Sequence, residues 1–171
     1  MTNDLAKPTI ISLFAGAGGM DLGFRQAGFE VVMANEYDKN IWATYEKNHE
    51  NPLLKGDIRQ FSADDFPDCD GIIGGPPCQD FSSAGKRDEG GGRADLTISF
   101  SEIIAEIKPK WFVMENVDRA LKSNAFQSAL ESFKKSGYGI TVRILDASKC
   151  GVPQIRKRVF VIGKMHEKDD F

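Results

Sequence analysis

Three cysteines in 171 residues, Cys69, Cys78 and Cys150, are odd in number and far apart. That excludes a disulfide framework or a paired zinc knuckle and leaves free thiols in a reducing compartment. No apolar run approaches the roughly 20 residues needed to cross a bilayer. The opening segment MTNDLAKPTIISLF lacks a basic stretch ahead of a long apolar core. No membrane partner and no metal are therefore expected, and a cytoplasmic location is the default. Positive charge is in slight deficit, with 22 Lys and Arg against 25 Asp and Glu. A domain that coats nucleic acid by charge alone is disfavoured, although local basic loops still suit phosphates. Internal repeats, low-complexity tracts and linkers are absent too. What is present, 41% hydrophobic and 27% charged residues, suits a single domain over 1–171 with a real core.

Apolar runs alternate with glycine and proline stops. Residues 9–14 read as a strand that ends in the glycine turn AGAGG and leads into a helix carrying Met20, Leu22 and Phe24. Strands are predicted at 29–34, 53–56 and 71–74, with a helix at 39–47 between the first two. A helix over 96–107 stops before Pro109, the strand WFVME follows, a helix over 124–136 stops at Gly137, and strands at 139–145 and 158–163 close the chain. Residues 146–157 show no helical period, so the last strand should return antiparallel. The expected fold is α/β and Rossmann-like: a mostly parallel sheet with an antiparallel final strand and helices on both faces. The most irregular stretch, 79–95, sets Lys86, Arg87 and Arg93 among four glycines. Loops of that length tend to be functional.

Glycines in Phe14-Ala15-Gly16-Ala17-Gly18-Gly19 let the backbone turn sharply and approach a ligand, while the following helix points its N–H groups at it. Glu36, twenty residues after Gly16 at a strand end, is placed to accept hydrogen bonds from both ribose hydroxyls. Tyr37 could stack on an adenine, and Asp57 could bind its exocyclic amine. A dinucleotide fingerprint wants glycine where Asp21 stands, and an acid there is an awkward neighbour for a pyrophosphate. An adenosine ligand without phosphates, such as S-adenosyl-L-methionine, suits better. A plain glycine turn beside two solvated acids is the competing reading.

Cys78 follows two prolines at the end of the fourth strand, on the sheet edge where open α/β folds bind ligands. A nucleophilic thiol needs a positive or hydrogen-bonding environment, which Arg156 and Arg158 could supply. Cys69 and Cys150 are expected to be buried as small apolar residues. Glu115 emerges from WFVMENV at the same edge, where partial desolvation would raise its pKa and make it a proton donor.

Together these segments resemble the cytosine-C5 DNA methyltransferase family, in the family's motif order and over essentially the whole chain. Phe14 to Gly19 resembles the first motif, Asn35-Glu36-Tyr37 the second, Gly56-Asp57-Ile58 the third and Gly75-Pro76-Pro77-Cys78-Gln79 with Phe81-Ser82 the fourth. Glu115-Asn116-Val117 resembles the sixth, and Gln154-Ile155-Arg156-Lys157-Arg158 the eighth. The resemblance implies transfer of a methyl group from S-adenosyl-L-methionine to C5 of a cytosine flipped out of double-stranded DNA, in a restriction-modification setting. Cys78 would add to C6 while Glu115 protonates or hydrogen-bonds N3, and Arg156 and Arg158 would line the base pocket. Ile58, Pro77 and Leu96 would join the cofactor site, and Pro77, Gln79, Ser82, Lys86, Arg87, Arg93, Asn116 and Gln154 the DNA side. The base that removes the C5 proton is not identified. Pro76 and Pro77 would fix how the thiol is presented, and 79–95 would close over the extruded base.

The family's target-recognition region and its ninth and tenth motifs have no counterpart after the eighth. The expectation is a truncated protein, or the catalytic subunit of a split enzyme completed by a second polypeptide. A tRNA cytosine-C5 methyltransferase is an alternative, disfavoured because its Pro-Pro-Cys segment usually continues differently from Gln-Asp-Phe-Ser. A non-catalytic S-adenosylmethionine-binding regulatory module is the other, which retention of Cys78, Glu115, Arg156 and Arg158 speaks against.

Overall fold

The computed structural model describes residues 6–77 and 96–171. The backbone divides into two compact units, the first ending at Gly74 and the second beginning at Gly75.

The first unit runs β1 (Thr9–Leu13), α1 (Gly19–Gln26), β2 (Glu30–Glu36), α2 (Lys39–Asn48), β3 (Leu53–Lys55) and β4 (Gly71–Gly74). All its strand pairs are parallel: β1 lies between β2 and β4, and β3 pairs with β2. Ile10, Ile11, Leu13, Ile72 and Ile73 are wholly buried. Such unbroken apolar runs mark parallel strands covered on both faces. The register sets Leu13 beside both Asn35 and Gly74. The glycine turn, the Asn35-Glu36 pair and Gly74 therefore leave the sheet at one edge, the carboxyl edge. Asn35 secures the neighbouring strand end, its amide donating to the carbonyls of Leu54 and Gly56 at 3.0 Å each.

The second unit contains α3 (Leu96–Ile107), β5 (Trp111–Val117), α4 (Asn124–Lys135), β6 (Tyr138–Asp146) and β7 (Lys157–Met165). Its final strand β7 runs antiparallel to both β5 and β6, as the missing helical period between the last two strands implied. Phe112 packs against Phe133 at 4.2 Å and Tyr138 at 5.1 Å between ring centroids. Position 163 must be glycine, because a Cβ there would fall 2.0 Å from the Phe112 ring.

Differences from the sequence reading lie mostly at element ends. Strand β2 continues to Glu36, β5 to Val117, and β6 and β7 each reach nine residues, since ladder pairing depends on backbone groups and outlasts the apolar pattern. Short 3-10 turns at Ile58–Gln60, Ala63–Asp65, Asp118–Lys122 and Ala147–Cys150 were too brief to show a period. The expected burial of Cys69 and Cys150 needs correction. Cys150 is exposed because it ends the turn between β6 and β7, and Cys69 is only half-buried. Even so, burial pushes the Cys69 thiol up to about 11, helped by the neighbouring acids Asp70 and Asp68, so it remains protonated and poorly nucleophilic.

Candidate active site

In the first unit the chain after β1 turns on three left-handed residues: Phe14 at φ 55°, Gly16 at 57° and Gly18 at 84°. A bulky residue in that region is strained by about 1 kcal/mol, a feature that clusters at ligand clamps. Glu36 ties the turn to the end of β2. Its Oε2 accepts from the Gly16 N–H at 2.8 Å and its Oε1 from the Asp38 N–H at 2.7 Å, at a position 9% exposed. Each oxygen keeps further acceptor capacity for a ligand hydroxyl.

The glycines serve different ends. A Cβ at Gly16 or Gly19 would meet nothing within 4 Å, so the backbone there faces open space. A Cβ at Gly18 would lie 2.0 Å from Nε2 of His49. His49 is buried, stacks on Tyr45 at 4.4 Å and places Nε2 3.3 Å from the Ala17 carbonyl. It props the turn from inside. No local signal revealed this, because 32 residues separate His49 from Ala17.

Tyr37, beside Glu36, is 71% exposed, leaving its ring available for stacking. Ile58 is buried under the next turn. Asp57 is already engaged: Oδ1 accepts from the Arg59 N–H at 3.0 Å and from its Nε at 2.8 Å, and Oδ2 accepts from Nη2. The Arg59 hydrogen bond holds this carboxyl below the usual carboxylate range. Arg59 escaped the sequence reading, although an acid two residues before an arginine is an adequate signal for such a turn.

Asp21 does not face the ligand side of the turn, as its place in the glycine pattern had suggested. It is fully buried, accepting from Ser12 Oγ and from Tyr45 OH at 2.6 Å each. The carboxylate therefore makes no contact with a ligand at the turn and can act on one only through its charge. What favours an adenosine ligand is the remaining set: an open glycine backbone, a buried carboxylate with spare acceptor capacity and an exposed aromatic ring at one sheet edge. The described residues fit S-adenosyl-L-methionine on those grounds.

In the second unit Gly75 and buried Pro76 lie against the end of β5. The Asn116 amide donates to the Pro76 carbonyl at 3.0 Å, and Asn116 Oδ1 accepts from the Val117 N–H at 2.8 Å. A Cβ on Gly75 would come within 3.1 Å of Glu115 Oε2, so a glycine there lets the chain pass close to the acid. Glu115 Oε1 pairs with Arg158 Nε at 2.9 Å, both side chains 23% exposed. The register explains the meeting: Val117 of β5 lies opposite Arg158 of β7. Burial raises the Glu115 pKa, while the charges of Arg158 and then Arg156 pull it down. The rise is the one expected from partial desolvation at this strand end.

Arg156 is exposed, its N–H bonded to Asp146 Oδ1 at 3.2 Å and its carbonyl accepting from the Ala147 N–H at 3.0 Å. Gln154 and Pro77 are exposed, and Leu96 is half-buried at the start of α3. Cys78, Gln79, Ser82, Lys86, Arg87 and Arg93 lie outside the described residues. The structure thus gathers Phe14 to Gly19, Glu36 and Tyr37 in the first unit, and Pro76, Glu115, Asn116, Arg156 and Arg158 in the second.

The fold is that of known methyltransferases. A solved Dnmt2 methyltransferase from S. pombe is similar over 96% of this chain and 51% of its own, with a TM-score of 0.79 at 21% identity. A putative DNA modification methyltransferase encoded within an E. coli prophage is similar over 93% of this chain and 47% of its own, with a TM-score of 0.76 at 30% identity. A family model described as C-5 cytosine-specific DNA methylase matches residues 8–170, and the chain belongs to that family. Type II methyltransferase M.HgiDI of Herpetosiphon aurantiacus is 51% identical over 162 residues, covering 91% of this chain and 52% of the relative. M.HindV of Haemophilus influenzae is 48% identical over 171 residues, 94% of this chain and 54% of the relative. M.HgiGI of Herpetosiphon aurantiacus is 50% identical over 123 residues, 70% of this chain and 98% of the relative. The chain thus spans about half the length of several curated relatives it matches. Among the described residues no helix is long and apolar enough to cross a membrane.

Proposed function

We propose that these 171 residues are the catalytic portion of a DNA (cytosine-5-)-methyltransferase of a restriction-modification system, using S-adenosyl-L-methionine and acting on double-stranded DNA. Type II methyltransferases that are about half identical to this chain over the matched residues support DNA as the substrate over tRNA. The observation that carries the chemistry is Glu115, a part-buried acid held by Arg158 and lying against Gly75, three residues before Cys78.

Glu36 would bind the ribose hydroxyls, the backbone at Gly16 and Gly19 would lie along the ligand, Tyr37 would stack on the adenine, and Asp57 would accept from its amine on a lone pair that Arg59 leaves free. When bound, the cofactor supplies an electrophilic methyl group. Cytosine C5 is a weak nucleophile, so Cys78 adds to C6 and Glu115 delivers a proton to N3, which places electron density on C5. Arg158 orients Glu115, and Arg156 adds positive charge beside it. Asn116 holds the carbonyl of Pro76 and so fixes the backbone two residues before the thiol. Lys86, Arg87 and Arg93 would meet phosphates, with Gln79, Ser82 and Gln154 at the base. Both units would act as one catalytic domain, a reading supported by the family match that runs through both. Target readout would come from polypeptide outside these residues, joined to them or supplied as a second chain.

The test is label transfer from methyl-labelled S-adenosylmethionine to duplex DNA or tRNA, with and without the product of a neighbouring gene. The expected result is transfer to DNA and a covalent adduct with 5-fluorocytosine DNA that Cys78→Ser abolishes. Transfer to tRNA alone would overturn the substrate, and cofactor binding without transfer or adduct under any condition would overturn the enzymatic reading.

A further inference from the structure

Asp21 is a buried carboxylate that makes no ion pair among the described residues. Its oxygens accept from two hydroxyls, Ser12 Oγ and Tyr45 OH, each at 2.6 Å, and none of its exposure remains. Arg25, one helical turn further along α1, does not reach it and instead donates to Asn51 Oδ1 at 2.5 Å. Asn51 in turn donates from Nδ2 to Tyr45 OH at 2.9 Å. The guanidinium is thus linked to the carboxylate only through Asn51 and Tyr45, although its charge is felt at the Tyr45 hydroxyl.

Burying an ionised carboxylate is costly, and hydroxyl donors with the first turn of α1 offset only part of the cost. A serine or asparagine could satisfy the same hydroxyls more cheaply. What only a carboxylate adds is negative potential, and in a dry interior that potential extends beyond contact distance, with little screening by salt. Asp21 sits two residues after Gly19, at the foot of the turn that faces open space. The ligand proposed there exists in two charge states: the methyl donor is a sulfonium cation, and the spent product is a neutral thioether.

Resting on that cofactor reading, we infer that Asp21 is a specificity-determining residue whose buried charge favours the cationic methyl donor over its neutral product. It touches neither, and acts through the field at the glycine turn. The residue would thereby ease product departure after transfer, when the positive charge disappears.

The test is equilibrium binding of S-adenosylmethionine, S-adenosylhomocysteine and sinefungin, which carries an amine in place of the sulfonium, measured by calorimetry without DNA. Asp21→Asn is expected to weaken the two cationic ligands by roughly three- to tenfold, a Coulomb effect at intermediate dielectric, and to leave the thioether within about twofold. Asp21→Ser, which keeps a hydroxyl for Tyr45, is the second neutral variant should Asn not fold. Ser12→Ala, which removes a hydrogen bond but keeps the charge, is expected to lower Tm without changing the donor-to-product ratio. Equal losses for all three ligands in the neutral variants, or no loss, would overturn the inference and leave the cofactor reading standing. Failure of the wild-type protein to bind any of the three would overturn both.

Discussion

The Asn116 amide reaches across forty residues of sequence to the Pro76 carbonyl, a buried hydrogen bond of 3.0 Å that joins the end of β5 to the segment leading into Cys78. Replacing it with alanine leaves a buried carbonyl without its donor, at a cost of about 1–3 kcal/mol. Asn116→Ala is expected to lower stability by that amount and to slow adduct formation with 5-fluorocytosine DNA more than the equilibrium affinity for S-adenosylmethionine changes. Stopped-flow adduct kinetics beside calorimetry separates the two. An equal loss in both would place Asn116 in general stability alone.

Gly18 answers to two constraints at once, a φ of 84° and a 2.0 Å approach to His49. Gly18→Ala therefore combines about 1–2 kcal/mol of left-handed strain with a steric conflict. The expected outcome is loss of both Tm and cofactor binding. In Gly18→Ala/His49→Ala the conflict vanishes but the strain remains, so recovery should be partial. Full recovery in thermal melts would show that the backbone relaxes out of the left-handed region.

How far the sequence reveals this molecule depends on how far its interactions reach. Glycine turns, β-branched runs and proline stops act over a few residues, and they place β1, α3 and the antiparallel β7 correctly. The Glu115–Arg158 pair was legible as two candidates but not as a contact, because register between β5 and β7 follows from the packing of both strands. His49 under Gly18, and Asp21 turned inward to Ser12 and Tyr45, were not legible. Their partners come from three elements, and a polar residue in an amphipathic helix carries no sign of whether it faces water or a buried hydroxyl. Cys150 misled for the opposite reason: cysteines are usually buried, but a 3-10 turn exposes this one.

Glu36 accepts two backbone N–H groups, one on each oxygen. In Glu36→Gln the amide nitrogen must face one of those donors, so one hydrogen bond becomes a repulsion. Loss of a charge-assisted bond is worth about 1.5–3 kcal/mol. Cofactor affinity is expected to fall by at least about tenfold while nonspecific DNA binding stays within twofold, read by calorimetry and by gel shift. Unchanged cofactor affinity would remove Glu36 from the ligand site.

Glu115 is pulled in two directions, and Arg158 is the handle that tells them apart. Burial raises its pKa and the two arginines lower it, with a net rise. The folded pKa thus exceeds the unfolded one, near 4.3 for an ordinary glutamate. The protein binds this proton more tightly when folded, so relative to Glu115→Gln its stability declines as pH climbs from the ordinary glutamate range through the folded pKa, and levels off above it. Arg158→Met removes the larger opposing charge, so the midpoint must move to higher pH, and the window of proton donation with it. Carbon-13 NMR of the Glu115 carboxyl in wild type and Arg158→Met reads the midpoint directly. A midpoint that stays in place or falls would contradict an ion pair between the two residues. In the active, complemented enzyme, Glu115→Gln is expected to cost about 10²- to 10⁴-fold in the rate of transfer and to flatten the alkaline limb of the pH profile, because the proton donor that limb titrates is gone.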